Sequence, residues 1–452
     1  METQHSIQDG ARVGGRRRAL IVGLGISGMA AALRLRQIGW TPVIVERSAA
    51  RRSGGYFIAL FRAGLAAAGR LGILDRLTDL STHGNGVDTD RVGRRWPGLS
   101  FDVFPGPPWM MRRGDLEAAA YAALAADVEI RYGAEPVGID QDAAGVDVTL
   151  ADASSGDRVT ERFDLVVGAD GLRSTVRRLV FGPDENHLRR LGHMALAYQL
   201  PAALPGFSDR DTVLLREPGR AMWSFPFRGH PPTALLTYHT DDVDAEFAGP
   251  IPDRVRQVFG PQPTGPVLGA ALDALESADR YVFDSVEQVH LDTWHRGRVV
   301  LVGDSAWCPT LYSGMGASSA MAGADLLGTM LNLCPEDVPV ALARWEAHLR
   351  PSIEQVQTNG RAMQSLFVPA SPAQLTRLRL MARLSKNPVT GPTLTRLRTR
   401  TPAFRLNDTD FADPSQVRDV GPERPGRTDP REPNGTPRPS LHRPVAVGEG
   451  RP

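Results

Sequence analysis

Three glycine-containing stretches carry the residue types and spacings that could do chemistry. "GLGISG" at residues 23–28 is a complete G-x-G-x-x-G, "DLVVGADGLRSTVR" spans 164–177, and "GDSAWCPTLYSGMGASS" spans 303–319. A glycine-rich turn that opens onto a helix leaves backbone N–H groups free to bind phosphate. The pattern indicates a nucleotide-binding site, and no obvious nucleophilic triad accompanies it.

In the first stretch each glycine has its own task. Gly23 permits a tight turn, Gly25 lets a pyrophosphate approach the backbone, and Gly28 lets the helix pack closely on the strand. Glu46 ends the next apolar run, where its carboxylate can accept hydrogen bonds from ribose hydroxyls. The motif predicts a bound dinucleotide, and alone it does not choose between NAD and FAD.

The elements around this motif follow from the apolar pattern. "RALIVG" at 18–23 predicts a buried parallel strand, because its apolar residues are continuous rather than alternating. A helix at 27–39 and a second buried strand at 41–47 complete a βαβ unit. "RVVLVGD" at 298–304 predicts a return to the same sheet, followed by a small-residue helix from about Gly316.

The middle of the chain has a different pattern of apolar residues. Apolar and polar residues alternate between 182 and 284, which predicts an antiparallel sheet with one covered face. The fold class is therefore α/β: a Rossmann-like dinucleotide-binding domain, an inserted antiparallel-sheet domain and C-terminal helices. We expect a flexible tail at 1–17, a discontinuous nucleotide-binding domain at 18–181 and 285–361, a sheet domain at 182–284 with part of 80–108, a helical segment at 362–406 and a disordered tail at 407–452.

Composition excludes several classes of partner. Lys+Arg total 52 and Asp+Glu 51, so the chain lacks the basic surface that nucleic acid favours. No metal-site spacing or disulfide framework is formed by Cys308 and Cys334, which indicates a reducing, cytoplasmic compartment. No stretch of some 18 uninterrupted apolar residues exists, so no membrane span is expected. The basic run before residue 19 resembles an export signal, but its apolar continuation holds the motif glycines.

The three motifs, in this order and with Glu46, resemble the aromatic-hydroxylase family of FAD-dependent monooxygenases, the group A or p-hydroxybenzoate-hydroxylase-like enzymes. The resemblance covers roughly residues 18–361. It implies FAD as cofactor, with NADPH or NADH as a transient reductant. It also implies reaction with O2 to a flavin C4a-hydroperoxide, which hydroxylates or epoxidises an aromatic or polyketide-like substrate. The oligomeric state stays open.

The resemblance also implies site residues by position. Pro309, Gly314 and Gly316 would lie near the flavin ring, Gly54 and Gly55 in a loop beside it, and no side chain is assigned a catalytic role. The implied cofactor-binding residues are Gly23, Gly25, Ile26, Ser27, Gly28, Glu46, Arg47, Gly55, Arg113, Asp170, Gly171, Arg177, Gly303, Asp304, Pro309, Gly314, Met315, Gly316 and Ala317.

Substrate contacts are predicted on the inserted sheet. Trp223, Phe225 and Phe227 alternate along one strand and so share a face. Neighbouring strands offer Tyr198 and Tyr238, or His239 in place of the latter. Such an apolar wall favours a large, flat substrate.

Two departures from the family pattern keep alternatives open. Trp307 stands where the family usually has His, and Ala317 where it usually has Asn. We interpret Trp307 as core packing in preference to a wall of the site. A cyclase of polyketide biosynthesis that uses FAD structurally, without redox turnover, is the main alternative. An FAD-dependent dehydrogenase and a plain binding module are further ones.

Overall fold

The structure is a computed structural model, and it describes residues 15–51, 56–98, 106–260, 263–387, 389–399 and 401–417. The chain divides into a compact unit, Met1–Pro414, and a second unit, Ser415–Pro452. Only residues 415–417 of the second unit are described. None of the helices within the described residues is long and apolar enough to cross a membrane.

The strands are numbered in chain order. They are β1 (Arg18–Val22), β2 (Thr41–Glu46), β3 (Phe57–Leu60), β4 (Gly86–Thr89), β5 (Arg95–Pro97), β6 (Trp109–Arg112), β7 (Glu129–Tyr132), β8 (Ala134–Gln141), β9 (Val146–Asp152), β10 (Arg158–Phe163), β11 (Leu165–Gly168), β12 (Leu188–Gln199), β13 (Thr212–Glu217), β14 (Arg220–Phe227), β15 (His230–His239), β16 (Tyr281–Val289), β17 (His295–Arg296) and β18 (Val299–Leu301).

The α-helices follow the same numbering. They are α1 (Ile26–Gln37), α2 (Arg62–Arg70), α3 (Arg113–Ala123), α4 (Thr175–Val180), α5 (Ile251–Phe259), α6 (Gly265–Glu276), α7 (Asp304–Trp307), α8 (Gly316–Leu333), α9 (Val338–Phe367), α10 (Pro372–Lys386), α11 (Gly391–Thr399) and α12 (Pro402–Asn407).

A parallel sheet forms the nucleotide-binding part. Its order is β17-β18-β11-β1-β2-β7, and only the short β17 runs antiparallel to its neighbour. Leu20 pairs with Val166 on one side and Val43 on the other, and all three side chains are buried. The continuous apolar runs are explained by this position, because helices cover a parallel sheet on both faces. The βαβ unit and the fold class are confirmed.

A second sheet of seven strands forms the inserted part, in the order β16-β12-β15-β14-β13-β4-β5. Its pairs are antiparallel except that of β4 with β13. The expected contribution from 80–108 is supplied by β4 and β5. The expected boundary at residue 284 was too early, because β16 pairs with β12 up to Val289.

The two faces of this sheet are covered differently. On one face α5 and α6 close a core that includes Leu236, Phe259 and Leu272. The other face carries Trp223 and Leu235, and it packs in part against α9. The alternation of side chains along each strand separates the two sets.

The C-terminal segment is ordered beyond the expected boundary at residue 407. Phe411 and Ala412 are buried, and an Arg70 Nη1 donates to the Asp410 carboxylate at 2.6 Å. The expectation of a disordered tail was therefore wrong for residues 408–414, because burial and an ion pair order this stretch. The rest of that tail after residue 417, and residues 1–14 of the N-terminal tail, lie outside the described residues.

Candidate cofactor and active site

A cavity of about 2000 Å³ is lined by residues of the parallel sheet, the seven-stranded sheet and α9. All three glycine-containing motifs contribute to its wall. Motifs that begin about 140 residues apart in the chain therefore meet at one site, because β18, β11 and β1 are neighbours in the parallel sheet.

The first motif forms a tight turn between β1 and α1. Gly23 has φ +105°, and a Cβ there would lie 2.5 Å from the carbonyl oxygen of Ala169. A Cβ on Gly28 would lie 1.9 Å from the carbonyl oxygen of Gly23, so Gly28 serves the packing of helix on strand and does not line the cavity. Gly25, Ile26 and Ser27 do line it.

The N-terminus of α1 is open towards a ligand. Gly25 precedes the helix, and no side chain among the described residues caps the first N–H groups. No described atom lies within 4 Å of a Cβ built on Gly25. Bare backbone, free N–H groups and the positive end of the helix dipole suit a pyrophosphate.

Glu46 braces this turn from the end of β2. Its carboxylate accepts hydrogen bonds from the backbone N–H groups of Leu24 at 3.0 Å and Ser48 at 2.9 Å. Glu46 and Arg47 both line the cavity. The carboxylate is thus held in place beside the phosphate turn, where the remaining acceptor capacity can serve ribose hydroxyls.

The second motif lies directly beside the first, since a Cβ on Gly23 would also lie 3.0 Å from the Cα atom of Asp170. Asp170 caps α4, since its carboxylate accepts from Ser174 Oγ at 2.6 Å and from the N–H of Thr175 at 2.7 Å. Burial raises the pKa of Asp170. Gly171, with φ +78°, lines the cavity and has open space where a Cβ would stand.

Arg177 was expected to bind cofactor, and this expectation was wrong. Its side chain is fully buried away from the cavity. It donates to the carbonyl oxygens of Leu172 at 2.7 Å and Ser305 at 3.0 Å, and to Asp184 at 2.6 Å. Arg177 therefore ties the second motif to the third and has a positioning role.

The third motif supplies the carboxylate of Asp304 and a second helix N-terminus without a side-chain cap among the described residues. Gly303 has φ +70°, and a Cβ there would lie 2.4 Å from Ser27 Oγ, so Gly303 lets the first and third motifs meet. Asp304 lines the cavity. Burial raises the pKa of Asp304, and the nearby Arg113 opposes this rise.

The start of α8 completes this wall. Pro309, Gly314, Met315, Gly316 and Ala317 all line the cavity. Gly316 has open space at its Cβ position, and no side chain among the described residues caps the helix. The free N–H groups and the helix dipole suit a group that carries negative charge.

Arg113 begins α3 at the cavity. Its Nε donates to Glu117 at 2.9 Å, and its guanidinium lies 5.9 Å from the ring centre of Tyr56. Burial raises the pKa of Tyr56, and Arg113 lowers it. Tyr56 lines the cavity and was missed from the sequence, although it directly follows the Gly54–Gly55 pair. Both glycines lie outside the described residues.

Trp307 packs in the core, as interpreted. Its ring centre lies 4.8 Å from that of Trp294 and 6.0 Å from that of Trp345. Its Nε1 donates to Ser319 Oγ at 3.2 Å, and Gly323 leaves room for the ring. Trp307 does not line the cavity.

On the seven-stranded sheet, Trp223 lines the cavity. Phe225 lies on the same face but behind the cavity wall, with its ring 3.9 Å from that of Phe57. The strand has an irregularity between Phe225 and Phe227, and Phe227 is buried outside the cavity. The prediction that all three aromatic residues share the site is therefore wrong for Phe225 and Phe227, since only Trp223 lines the cavity.

The two tyrosines belong to the helix-covered face. Tyr198 touches the cavity, but its hydroxyl donates to the carbonyl oxygen of Ala271 on α6 at 2.7 Å. Tyr238 does not line the cavity, and its hydroxyl donates to Glu246 at 2.7 Å. The predicted contact of Tyr238 needs correction, because its side chain is one residue out of phase with the cavity face. Tyr198 lies on the same covered face and still borders the cavity. His239 is on the correct face, but it is half exposed and outside the cavity.

Several lining residues could not be found from the sequence. Tyr312 lies within the third motif but was not singled out, and its hydroxyl shares a 2.7 Å hydrogen bond with that of Thr237. Others come from α9 and α12, far along the chain and without a motif. They include Met363 and Phe367 on α9 and Phe404 on α12; strands β12 and β15 add Ala195, Ala197 and Leu235.

The residues present fit FAD. Three glycines with open Cβ positions, two uncapped helix N-termini and the half-buried Asp304 surround one cavity that reaches from the phosphate turn to the apolar sheet. The fold and the site define a flavoprotein with a Rossmann-like FAD-binding domain.

Comparison with known proteins gives the family. A sequence model for the FAD binding domain matches residues 16–337, more than half of the chain. A flavin-dependent monooxygenase from an unidentified prokaryote is 29% identical over 366 residues, which are 78% of this chain and 90% of the relative. The chain belongs to the FAD-dependent monooxygenases of the group A aromatic-hydroxylase type, and it is an oxidoreductase.

Solved structures are similar over most of the chain. The tetrameric form of 2-methyl-3-hydroxypyridine-5-carboxylic acid oxygenase is 26% identical, with a TM-score of 0.63, over 80% of this chain and 96% of that one. HpxO of Klebsiella pneumoniae, complexed with FAD and uric acid, has a TM-score of 0.70 at 20% identity over 88% of this chain and 97% of that one. The latter likeness concerns the fold.

Proposed function

We propose that this enzyme is an NAD(P)H-consuming monooxygenase that hydroxylates or epoxidises a flat aromatic or polyketide-like substrate. The observation that carries the proposal is the single cavity with two unlike walls. One wall is the glycine-rich FAD cradle, and the other is the apolar face with Trp223, Leu235 and Phe367. A flat ring system between these walls would lie against the flavin.

When bound, FAD supplies the redox chemistry, namely reduction by NADPH or NADH and activation of O2 at its C4a carbon. The chain's own residues bind, orient and exclude water. Free N–H groups at α1 would receive the pyrophosphate, and those at α8 would stabilise negative charge on the ring. Asp304 would accept hydrogen bonds from ribityl hydroxyls.

The apolar wall orients the substrate and keeps water from the reacting atoms. The small side chains of Ala195 and Ala197 leave room for a ligand next to the sheet, and Tyr312 and Met363 also line this part of the cavity. The names of the similar structures support the substrate class, since uric acid and hydroxypyridine carboxylic acid are flat, oxygenated ring compounds. The two isolated free cysteines, Cys308 and Cys334, support a place in the reducing cytoplasm.

The test is reconstitution of the purified protein with FAD, followed by measurement of NADPH and NADH oxidation and O2 uptake. The substrate panel contains hydroxypyridines, uric acid and multi-ring phenols. We expect at least one substrate to stimulate reductant oxidation and to gain one oxygen atom. A yellow protein that NAD(P)H never bleaches, yet that cyclises a polyketide, would show the structural-flavin alternative to be correct.

A further inference from the structure

Two buried glutamines, Gln288 on β16 and Gln357 on α9, lie behind the loop of the third motif. The exposed fraction is 0% for Gln288 and 5% for Gln357, and neither residue lines the cavity. Glutamine is mostly a surface residue, because burying its amide costs free energy unless the amide is hydrogen-bonded. The contacts of these two amides therefore show what the buried positions are for.

Both side-chain amides donate to backbone carbonyl groups. Gln357 Nε2 donates to the carbonyl oxygens of Trp307 at 2.6 Å and Val289 at 2.7 Å. Gln288 Nε2 donates to the carbonyl oxygens of Pro309 at 3.2 Å and of Gln357 itself at 2.8 Å. An amide nitrogen carries two N–H donors, so all four donors are used. The two side chains thus join the backbones of the loop, β16 and α9.

The strand and the loop are also bonded directly. The backbone N–H of Val289 donates to the carbonyl oxygen of Cys308 at 3.2 Å. Three consecutive carbonyl groups, at residues 307–309, therefore accept hydrogen bonds from groups of β16 or α9. His290 Nε2 lies 3.2 Å from Gln288 Oε1, which fits an amide that turns its nitrogen towards the loop.

The loop needs this support because its next residue is strained. Thr310 has φ +75°, a left-handed conformation that a β-branched residue rarely adopts, and such a conformation persists only where its surroundings hold it. Gly360, three residues beyond Gln357, lets α9 approach the loop, since a Cβ there would lie 2.6 Å from the carbonyl oxygen of Pro309. Cys308, Pro309 and Thr310 all line the cavity. The support therefore holds a wall of the cofactor site.

We propose that Gln288 and Gln357 are positioning residues that hold the loop at 307–310 in its strained conformation and so fix the cavity wall that bound FAD would meet. Both act through the backbone of the loop, from behind the wall. Without either amide the loop can relax at Thr310, and only the fraction of molecules with the loop in place presents the shaped wall to the cofactor. The inference concerns the FAD site, so it does not depend on the proposed substrate class.

The test replaces each glutamine by methionine, which is flexible, fills a similar space and cannot donate a hydrogen bond: Gln288→Met and Gln357→Met. Hydrogen–deuterium exchange of the FAD-loaded protein, read by mass spectrometry, measures opening of the loop. The amides of Val289 and Ser313 report it, since each donates to a carbonyl oxygen of the loop. We expect their peptides to exchange about fivefold to a hundredfold faster in either variant, because buried carbonyl groups lose their donors.

A second readout shows whether the loop shapes the cofactor site. The visible circular dichroism of bound FAD, recorded without reductant, reports the surroundings of the flavin ring. It should change in both glutamine variants, whereas a loss of stability elsewhere in the chain would leave it as it is.

Gln364→Met is the matched control, because Gln364 is a glutamine on the same helix whose amide nitrogen lies 2.8 Å from His193 Nδ1 on β12. It should leave the exchange of the loop peptides within about twofold and the flavin spectrum unchanged. Gly360→Ala retains both glutamines and pushes on the Pro309 carbonyl, so it should resemble the glutamine variants and serves where one of these fails to fold.

Unchanged exchange in the glutamine variants, or an equal increase in Gln364→Met, overturns the inference. A loop that opens faster while the flavin spectrum stays the same overturns it as well. Failure of every substrate to stimulate NAD(P)H oxidation would overturn the proposed function alone, because neither readout needs turnover.

Discussion

The two faces of the seven-stranded sheet carry similar residues, but these residues have different roles. Leu235 and Leu236 are neighbours on β15, yet the first borders the cavity and the second lies in the core under α5 and α6. Polar groups differ in the same way. On the covered face the Tyr198 and Tyr238 hydroxyls are paired, whereas on the cavity face the Trp223 N–H has no hydrogen-bond partner among the described residues. The covered face is closed by helices, and the other face is left partly open to the cavity.

The largest effect on stability should come from truncating Leu236 to alanine, with Leu235 as its counterpart on the other face. Leu236→Ala removes packed core atoms and should lower the free energy of unfolding by about 2–5 kcal/mol. In the fraction that remains folded, FAD binding should be unchanged. Leu235→Ala should cost less stability, because its side chain already borders open space, but it should change substrate binding. Denaturant titration and ligand titration of both variants measure this contrast; equal stability losses with equal binding would contradict it.

The cofactor wall should respond to Asp304→Asn. Loss of a charged acceptor should weaken FAD binding about tenfold to a hundredfold. Because burial raises the pKa of Asp304 above its ordinary value, the ionised carboxylate is a cost to the FAD-free protein near neutral pH. The variant should therefore be more stable without FAD and bind FAD less well. A drop in both properties would indicate a structural role instead.

Two tyrosine variants, one on each face of the sheet, test the same comparison with a smaller expected loss of stability. Tyr238→Phe removes a hydrogen bond to the buried Glu246 and should lower stability by about 1–2 kcal/mol without affecting the cavity. Tyr312→Phe removes the bond to Thr237 beside the cavity, so we expect a similar or smaller loss together with altered substrate affinity. Thermal melts and substrate titrations of the pair separate these outcomes.

The smallest effect concerns acid stability of the covered face. The Arg254 guanidinium, which donates to Glu246, lowers the pKa of that carboxyl to about 2. A carboxyl with a depressed pKa stabilises the fold above its ordinary pKa of 4.5, and this contribution is lost as the pH falls through about 2. Stability measured between pH 5 and pH 2 should fall more steeply in the wild type than in Glu246→Gln. Parallel curves would argue against the assignment.

Much of the cofactor half could be predicted. Gly23, Gly25 and Gly28 act through short-range backbone geometry, and the continuous apolar run of β1 reports a strand buried on both faces. The start of α8 at Gly316 was found from the run of small residues, whereas Asp304 was implied by the family resemblance. Arg177 was not, because a motif position does not reveal whether a long side chain turns towards the ligand or into the core.

The substrate half was harder to predict. Alternation identified the strands, but the phase of each strand relative to the cavity depends on its partners. An error of one residue moves a side chain to the other face. Tyr198 and Tyr238 were one position out of phase, and the irregularity before Phe227 removed that residue from the shared face. The lining residues from α9 and α12 carry no local signal.

By itself, the sequence determined the turns, the strand periods and a dinucleotide site, since these depend on residues close together in the chain; FAD was implied by the resemblance that the three motifs carry. Only the tertiary structure decided which face of the inserted sheet would remain open, that Trp307 lies in a core of three tryptophans, and that Asp410 is anchored by Arg70. The reason is physical: covering one face and leaving another open is decided by the packing of distant helices, and no local pattern of residues records it.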